Sequence, residues 1–88
     1  MKLTILSGQS GSGTTSAKYT FEELGFLITE NPPVESIDKI LEVYKEPKYQ
    51  NEKICIMVPS YNYLDVMNKC WADKEIDAVG VLLTTSVN

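Results

Sequence analysis

The chain has 88 residues, a length suited to one small domain, and its formal net charge is -4. All eight basic residues are lysines, and the sequence contains no arginine and no histidine. It therefore has no guanidinium to hold a phosphate with two parallel hydrogen bonds, and no imidazole to carry protons or bind a metal. An acidic chain with scattered lysines is also poorly suited to nucleic acid, where phosphate neutralisation dominates the affinity.

The sequence carries no sign of membrane insertion or export. No apolar run approaches the ~20 residues that a spanning helix needs. The N-terminal segment 1–6 is too short for the core of a signal peptide. Cys55 and Cys70 both lie in apolar segments, which favours buried free thiols over a disulfide or a zinc site. We therefore expect a cytoplasmic protein without a membrane partner.

Apolar periodicity predicts alternating strands and helices along the chain. The run 54–58 is continuously apolar, as expected of a strand covered on both faces. This alternation favours an α/β fold: a small, mainly parallel four-stranded sheet with helices on both faces, in a single domain of residues 1–88. In chain order, the predicted elements are strand 2–7, helix 14–24, strand 26–29, helix 34–44, strand 53–58, helix 60–72 and strand 77–84.

Helical spacing also predicts which side chains face the sheet. Gly25 is expected to end the first helix, and Ser60 to cap the third. The predicted inner faces are Ala17, Phe21 and Leu24 in the first helix, then Ile37, Ile40, Leu41 and Tyr44 in the second, then Leu64, Met67 and Trp71 in the third.

A glycine-rich turn joins the first strand to the first helix. Gly8 and Gly13 have the spacing of the phosphate-binding pattern G-x-x-x-x-G-K-[ST], and Thr15 supplies its hydroxyl. Thr14 occupies the lysine position, so the cradle lacks the charge that normally reaches the phosphates. The predicted site for a phosphate, ATP or GTP consists of Gly8, Ser10, Gly11, Ser12, Gly13, Thr14 and Thr15.

Two charged residues can complement this turn. Lys18 follows Thr14 by four residues and leans toward the helix N-terminus, so it either replaces the missing charge or is a solvated surface lysine. Glu30 follows the second strand and can face the loop, because the carboxyl ends of parallel strands meet at one edge. The other carboxylates are interpreted as solvated helix faces.

Three tyrosines near predicted loops are candidates for partner binding. Tyr49, Tyr61 and Tyr63 combine a large apolar area with a polar tip, which is common at protein interfaces. The alternative is that they lie half-buried against their own domain. Trp71 and Tyr44 are assigned to the core.

Residues 1 to about 33 resemble the N-terminal nucleotide-binding domain of the RapZ/YvcJ family of bacterial P-loop proteins. The matching stretches are 6–8 with 10–13, then 21–26, then Glu30-Asn31 with Pro33. In the family they look like SG-SGSGK, ALEDLGF and DNLP. The resemblance implies a P-loop fold that binds and hydrolyses ATP or GTP, and some members act as RNase adapters.

The sequence departs from that family pattern at three points. Thr14 replaces the lysine, Val58-Pro59-Ser60 stands where a metal-supporting aspartate is expected, and the sequence ends after the fourth strand, as a truncated domain would. We therefore expect a non-catalytic interaction or regulatory module that binds or inhibits a protein partner, which can be a full-length relative or a second copy of itself. The alternative is a residual ATP, GTP or phosphate binder without efficient hydrolysis.

Overall fold

The computed structural model describes residues 1–9 and 13–84, and within them strands and helices alternate as predicted. Two short 3₁₀ turns, Val34–Ser36 and Pro47–Tyr49, lie on either side of the second helix. The α/β fold class is confirmed. The elements are β1 (Lys2–Gly8), α1 (Thr14–Glu23), β2 (Leu27–Glu30), α2 (Ile37–Tyr44), β3 (Ile54–Met57), α3 (Ser60–Trp71) and β4 (Asp77–Leu83).

The four strands form one sheet in the order β2-β3-β1-β4, and every pair is parallel. β1 lies in the interior of the sheet, with Leu3 opposite Ile54 on one side and Ala78 on the other. Because all strands run the same way, their carboxyl ends lie along one edge, where α1 and α3 begin. Within the described residues, β2 and β4 are the edge strands.

Helices cover both faces of the sheet, as predicted. On one face, Ala17 and Phe21 of α1 pack against buried Leu6, Cys55 and Met57. On the other face α2 and α3 enclose the larger core. Its buried members are Leu3, Ile5, Ile37, Leu41, Ile54, Ile56, Val58, Val66, Met67, Cys70 and Ile76. Among residues 1–9 and 13–84, no helix is long and apolar enough to cross a bilayer.

Both cysteines are free thiols in the interior, which confirms the prediction made from their apolar surroundings. Burial raises the pKa of Cys55 to about 11, although a hydrogen bond with the backbone of Leu6 opposes the shift. Burial also raises the pKa of Cys70. Neither thiol is therefore an activated nucleophile at neutral pH.

Gly25 ends α1 through a paired hydrogen-bond motif. Its φ is +89°, and its N–H donates to the carbonyl of Glu22 at 3.0 Å while the N–H of Phe26 donates to Phe21 at 3.0 Å. The rings of Phe21 and Phe26 then pack edge to face with centroids 4.9 Å apart. This is the Schellman arrangement, in which glycine occupies the left-handed position, and it confirms Gly25 as the helix terminator.

The predicted inner face of α2 is confirmed, but the helix begins at Ile37, later than predicted. Ile37 and Leu41 are buried, and Ile40 and Tyr44 pack against the same core. Residues 34–36 form a 3₁₀ turn instead of the first α-helical turn. This turn follows the paired prolines Pro32 and Pro33, which bias the chain before it toward extended backbone.

Predictions for the other two helices were partly wrong. Leu64 and Trp71 are 63% and 62% exposed, and Leu24 is 57% exposed. The inner face of α3 instead carries Val66, Met67 and Cys70, with Tyr63 packed beside them. Both sets have spacings of three and four, so periodicity alone does not distinguish them. Ser60 is the first residue of α3 and does not cap it; the cap position is Pro59, without a side-chain hydrogen bond.

Candidate phosphate-binding site

A cleft of about 300 Å³ opens at the carboxyl edge of the sheet. It is formed where β1, β2 and β3 end and where α1 begins. Ligands of parallel α/β sheets bind outside this edge, because loops and helix N-termini converge there. The cleft is lined by Leu6, Ser7, Gly8, Thr14, Thr15, Glu30, Asn31, Met57, Val58 and Pro59.

Backbone groups determine how the loop leaves β1 and enters α1. The N–H of Gln9 donates to the carbonyl of Leu83 at 3.2 Å, which ties the start of the loop to β4. Gly13 has φ +91° at the N-cap of α1, and its carbonyl accepts the first helical bond from Ala17 at 3.0 Å. Only glycine adopts this backbone conformation without strain.

The first turn of α1 presents polar groups to the cleft. The backbone N–H groups of Thr14, Thr15 and Ser16 precede the first residue that can bond within the helix, so the helix itself gives them no acceptor. The helix dipole adds partial positive charge at the same end. Together, these features make the start of α1 suitable for an anion.

The structure brings together part of the predicted phosphate site. Gly8, Thr14 and Thr15 line one cleft, and Gly13 precedes Thr14 at the helix N-cap. The predictions for Ser10, Gly11 and Ser12 lie outside the described residues. The described part of the loop therefore has the strand–turn–helix order that the motif requires.

Ser7 and Asn31 also line the cleft, and sequence reasoning did not identify either as a site residue. Ser7 is 1% exposed, and its Oγ donates to the Val58 carbonyl at 2.6 Å. Asn31 has φ +49°, and its N–H donates to the Met57 carbonyl at 2.8 Å. Both residues join the ends of neighbouring strands. Their positions at those ends were the available sequence signal.

Glu30, the last residue of β2, lies on the wall of the cleft, a position that the sequence left open for it. Its Oε2 accepts a hydrogen bond from Lys18 Nζ at 3.0 Å. This bond and the charge of Glu30 raise the pKa of Lys18 above its ordinary value. Lys18 is therefore a cation at neutral pH, bound to a residue of the cleft wall.

A larger cleft of about 850 Å³ lies at the opposite edge, near the amino ends of the strands. Lys2, Glu52, Lys53 and Asp77 line it, so its charges are mixed. It has neither the glycine-rich turn nor the start of a helix. The smaller cleft is therefore the candidate phosphate site, because the sequence motif and the geometry coincide there.

No metal-binding cluster of three or more Asp, Glu or Cys side chains occurs in the described part of the chain. The segment after β3 runs Val58-Pro59-Ser60 and supplies no carboxylate to the cleft. Of the side chains that the pattern G-x-x-x-x-G-K-[ST] directs to phosphate and Mg²⁺, the sequence keeps the hydroxyl, at Thr15.

The three tyrosines considered for partner binding lie in different environments. Tyr49 packs edge to face on Tyr44, with ring centroids 5.1 Å apart. Tyr63 packs against the larger core, where its Oη lies close to Gly80. Tyr61 is 82% exposed. A surface that a partner can reach directly therefore includes Tyr61.

A parallel sheet in which a glycine-rich turn leads from the inner strand β1 to the start of α1 defines a P-loop-like nucleotide-binding domain. The family model described as the RapZ-like N-terminal domain matches residues 1–85. The chain belongs to this family.

Curated relatives carry the same class of name. The chain is 31% identical over 86 residues to a nucleotide-binding protein of Bacillus licheniformis, covering 98% of this chain and 27% of that protein. It is 30% identical over 79 residues to the nucleotide-binding protein YvcJ of Bacillus subtilis, covering 90% of this chain and 25% of that protein. A nucleotide-binding protein of Geobacillus thermodenitrificans is 37% identical over 57 residues, covering 65% of this chain and 19% of that protein. The chain spans about a quarter of the length of the first two.

Proposed function

We propose that this domain binds the phosphate groups of a nucleotide in the cleft at the start of α1, without hydrolysing the nucleotide efficiently. The observation that carries this proposal is the meeting of Gly8, Thr14 and Thr15 in one cleft at the carboxyl edge of the sheet. Backbone N–H groups and the helix dipole attract an anion there. The relatives are named nucleotide-binding proteins, which supports the same ligand class.

The residues present favour binding over turnover. Phosphoryl transfer depends on positioning and on charge that stabilises the transferred group. Thr14 is neutral and short at the lysine position, and Val58-Pro59-Ser60 brings no carboxylate for a metal. The chain also has no arginine to reach a transition state. We therefore expect turnover far below that of a complete P-loop site.

Calorimetry with ATP and with GTP, each with and without Mg²⁺, tests the binding. We expect weak binding by the wild type, tighter binding by Thr14→Lys and loss of binding by Thr14→Asp. An aspartate at the first helical position suits the helix dipole, so Thr14→Asp tests the charge of the cleft without disturbing the fold. Absence of heat and of a thermal shift at millimolar nucleotide, for the wild type and Thr14→Lys alike, would refute the proposal.

A second candidate function, as an interaction module, rests on an exposed apolar surface beside the open edge of the sheet. Trp71, Leu64 and Tyr61 on α3 are 62%, 63% and 82% exposed, and Leu82 on β4 is 47% exposed. Scattered apolar residues are normal on a surface. Large ones along a single helix beside an unpaired strand edge are the kind of patch that a protein partner covers.

The orientation of α3 directs Leu64 and Trp71 of this patch to the β4 side. Lys69 donates to Asp38 of α2 at 2.7 Å, so the Lys69 flank of α3 faces α2. At 3.6 residues per turn, Leu64 and Trp71 lie about 140–160° around the helix from Lys69. They therefore face away from α2, toward β4, whose outer edge is unpaired within the described residues.

The partner that we propose for this patch is a longer member of the same family. Such a protein is about four times as long as this chain and contains the same type of domain. An added strand would satisfy the free backbone groups of β4 while its neighbouring helix covers Leu64 and Trp71. Self-association through the same edge is the competing outcome.

Co-purification of the tagged domain with a purified longer family member tests this second function. Leu64→Ser with Trp71→Ser should abolish the complex, while Val43→Ser, at an exposed valine of α2, should not. Light scattering of the domain alone distinguishes self-association. Equal recovery of the partner by the wild type and the double variant would exclude this surface. Tyr63 is not a useful probe, because it packs against the core.

A further inference from the structure

Lys18 and Glu30 form an ion pair at the rim of the phosphate cleft. Lys18 Nζ lies 3.0 Å from Glu30 Oε2, and the two side chains are 22% and 49% exposed. Glu30 is the last residue of β2 and lines the cleft with Thr14 and Thr15. Lys18 lies four residues after Thr14 on α1, about 6 Å along the helix axis. The pair thus connects the second turn of α1 to the cleft wall.

Lys18 is the lysine best placed to act on an anion in this cleft. All eight lysines of the chain lie within the described residues. None of these lysines lines the cleft. Among the hydrogen bonds and ion pairs of the described residues, only those of Lys18 join a lysine to a residue that lines the cleft, namely Glu30. For example, Lys45 binds Asp73 and Lys53 binds the carbonyl of Leu24, both away from the cleft. The chain has no arginine that could take this role in place of a lysine.

We infer that Lys18 supplies the positive charge that Thr14 cannot, and that Glu30 competes with the bound phosphate for it. This inference rests on the proposed function of the cleft. In the free protein the ammonium and the carboxylate neutralise each other. A phosphate in the cleft brings negative charge next to Glu30, which repels the carboxylate and attracts the ammonium. Lys18 then exchanges Glu30 for a phosphate oxygen.

Geometry supports this exchange. A lysine on a helix tends to direct its side chain toward the helix N-terminus, which in α1 is the end that carries Thr14. Its ammonium carries three donors on a flexible stem, which allows it to change partner without movement of the backbone. The pKa of Lys18 is raised by Glu30, so the side chain is fully protonated at neutral pH. Glu30 is half exposed and can turn to solvent when the phosphate arrives.

The inference predicts opposite effects for the two members of the pair. In calorimetric titrations with ATP and with inorganic pyrophosphate, Lys18→Met should weaken binding about tenfold or more, which corresponds to at least about 1.4 kcal/mol. Glu30→Gln should strengthen binding several-fold, because it removes the competing charge. Lys18→Arg should retain most of the affinity.

Charge-matched controls separate the cleft from the net charge of the protein. Lys39→Met removes an exposed lysine of α2, and Glu52→Gln removes a carboxylate at the opposite edge of the sheet. Both should bind the two probes as the wild type does. Equal weakening by Lys39→Met and Lys18→Met would overturn the inference, since it would reduce the effect to overall charge.

The remaining outcomes distinguish this inference from the proposed function. Unchanged affinity of Lys18→Met, with loss of binding in Thr14→Asp, overturns the role of Lys18 and leaves the phosphate site intact. Weaker binding by Glu30→Gln overturns the competition, since Glu30 would then position Lys18. Failure of the wild type, Thr14→Lys and Glu30→Gln to bind either probe would remove the phosphate site itself.

Discussion

The hydroxyl end of Tyr63 lies against Gly80, so that a Cβ at residue 80 would clash with Tyr63 Oη and lie 3.0 Å from Met67 Sδ. Gly80 belongs to β4, and the two other residues belong to the inner face of α3. The missing side chain lets the helix approach the sheet at this point. Close packing of α3 on β4 therefore depends on glycine here.

We expect Gly80→Ala to destabilise the domain by about 1–3 kcal/mol, because the added methyl group displaces Tyr63 or Met67. Urea unfolding followed by circular dichroism measures the change. In a Tyr63→Phe background the cost of Gly80→Ala should fall, since the nearest clashing atom is gone. Equal costs in both backgrounds would contradict the role of the hydroxyl.

Replacing Gly25 should destabilise the end of α1. Its φ of +89° disfavours a side chain, although no atom lies within 4 Å of a Cβ placed there. The cost of Gly25→Ala is therefore a backbone cost of about 1–2 kcal/mol. Gly25→Asn should cost less, because asparagine tolerates the left-handed region. Similar midpoints of thermal unfolding for the wild type and Gly25→Ala would argue against this reading.

Replacing Met67 should destabilise the domain more than replacing Trp71, although Trp71 is the larger residue. Met67→Ala removes a side chain from the closed core and should cost about 2–5 kcal/mol. Trp71→Ser changes an exposed position and should alter stability by no more than about 0.5 kcal/mol. Denaturant midpoints of the two variants test this order, and a larger loss for Trp71→Ser would mean that α3 is rotated.

The ion pair of Lys45 with Asp73 should make stability depend on pH in the acid range. Lys45 donates to the carboxylate, and the N–H of Glu75 donates to it at 2.9 Å. Both bonds hold the pKa of Asp73 below its ordinary value. A lowered folded-state pKa stabilises the fold above the unfolded-state value, and this contribution is lost as pH falls through the folded-state value.

Urea midpoints at pH 6 and pH 3 measure that contribution. The loss between the two pH values should be smaller in Asp73→Asn than in the wild type, and Lys45→Met should reduce it in the same way. A wild-type pH dependence retained in full by Asp73→Asn would assign the acid sensitivity to other carboxylates.

Both thiols should resist modification in the native state. With the pKa of Cys55 at about 11, about one part in a thousand is thiolate at pH 8, and burial blocks access as well. A chromogenic disulfide reagent should therefore react slowly with the folded domain. In urea, where the domain is unfolded, it should react readily with both thiols. The single variants Cys55→Ser and Cys70→Ser identify which thiol reacts first. Rapid native labelling would show that the core opens.

The fold was predictable from sequence because its local signals agree. Apolar runs define the strands, Gly25 ends α1, and alternation favours a parallel sheet. The face of α3 was not predictable, because the residue sets 63, 66, 67, 70 and 64, 67, 71 both fit a helical period. Which face of α3 packs on the sheet depends on Gly80, which is distant in sequence and leaves the space that the Tyr63 side chain occupies.

The residues of the candidate site that belong to one contiguous motif could be predicted from sequence. The residues that reach the site through contacts with distant segments could not. Gly8, Thr14 and Thr15 follow from a single pattern of residues. Ser7 enters the site through a bond to Val58, which lies 51 residues away, and the sequence gives no direct sign of this pairing. The partner of Lys18 depends in the same way on where β2 ends relative to α1.

The position of β1 in the sheet bears on synthesis of the chain. β1 is made first, yet its two neighbours, β3 and β4, begin at residues 54 and 77. The nascent chain thus exposes an apolar strand with two unpaired edges until β3 has emerged, and with one unpaired edge until β4 has emerged. Such strands are open to non-native pairing before their contacts form. Slow elongation over residues 58–77 would lengthen the time for which the edge of β1 next to β4 stays unpaired, and fast elongation would shorten it.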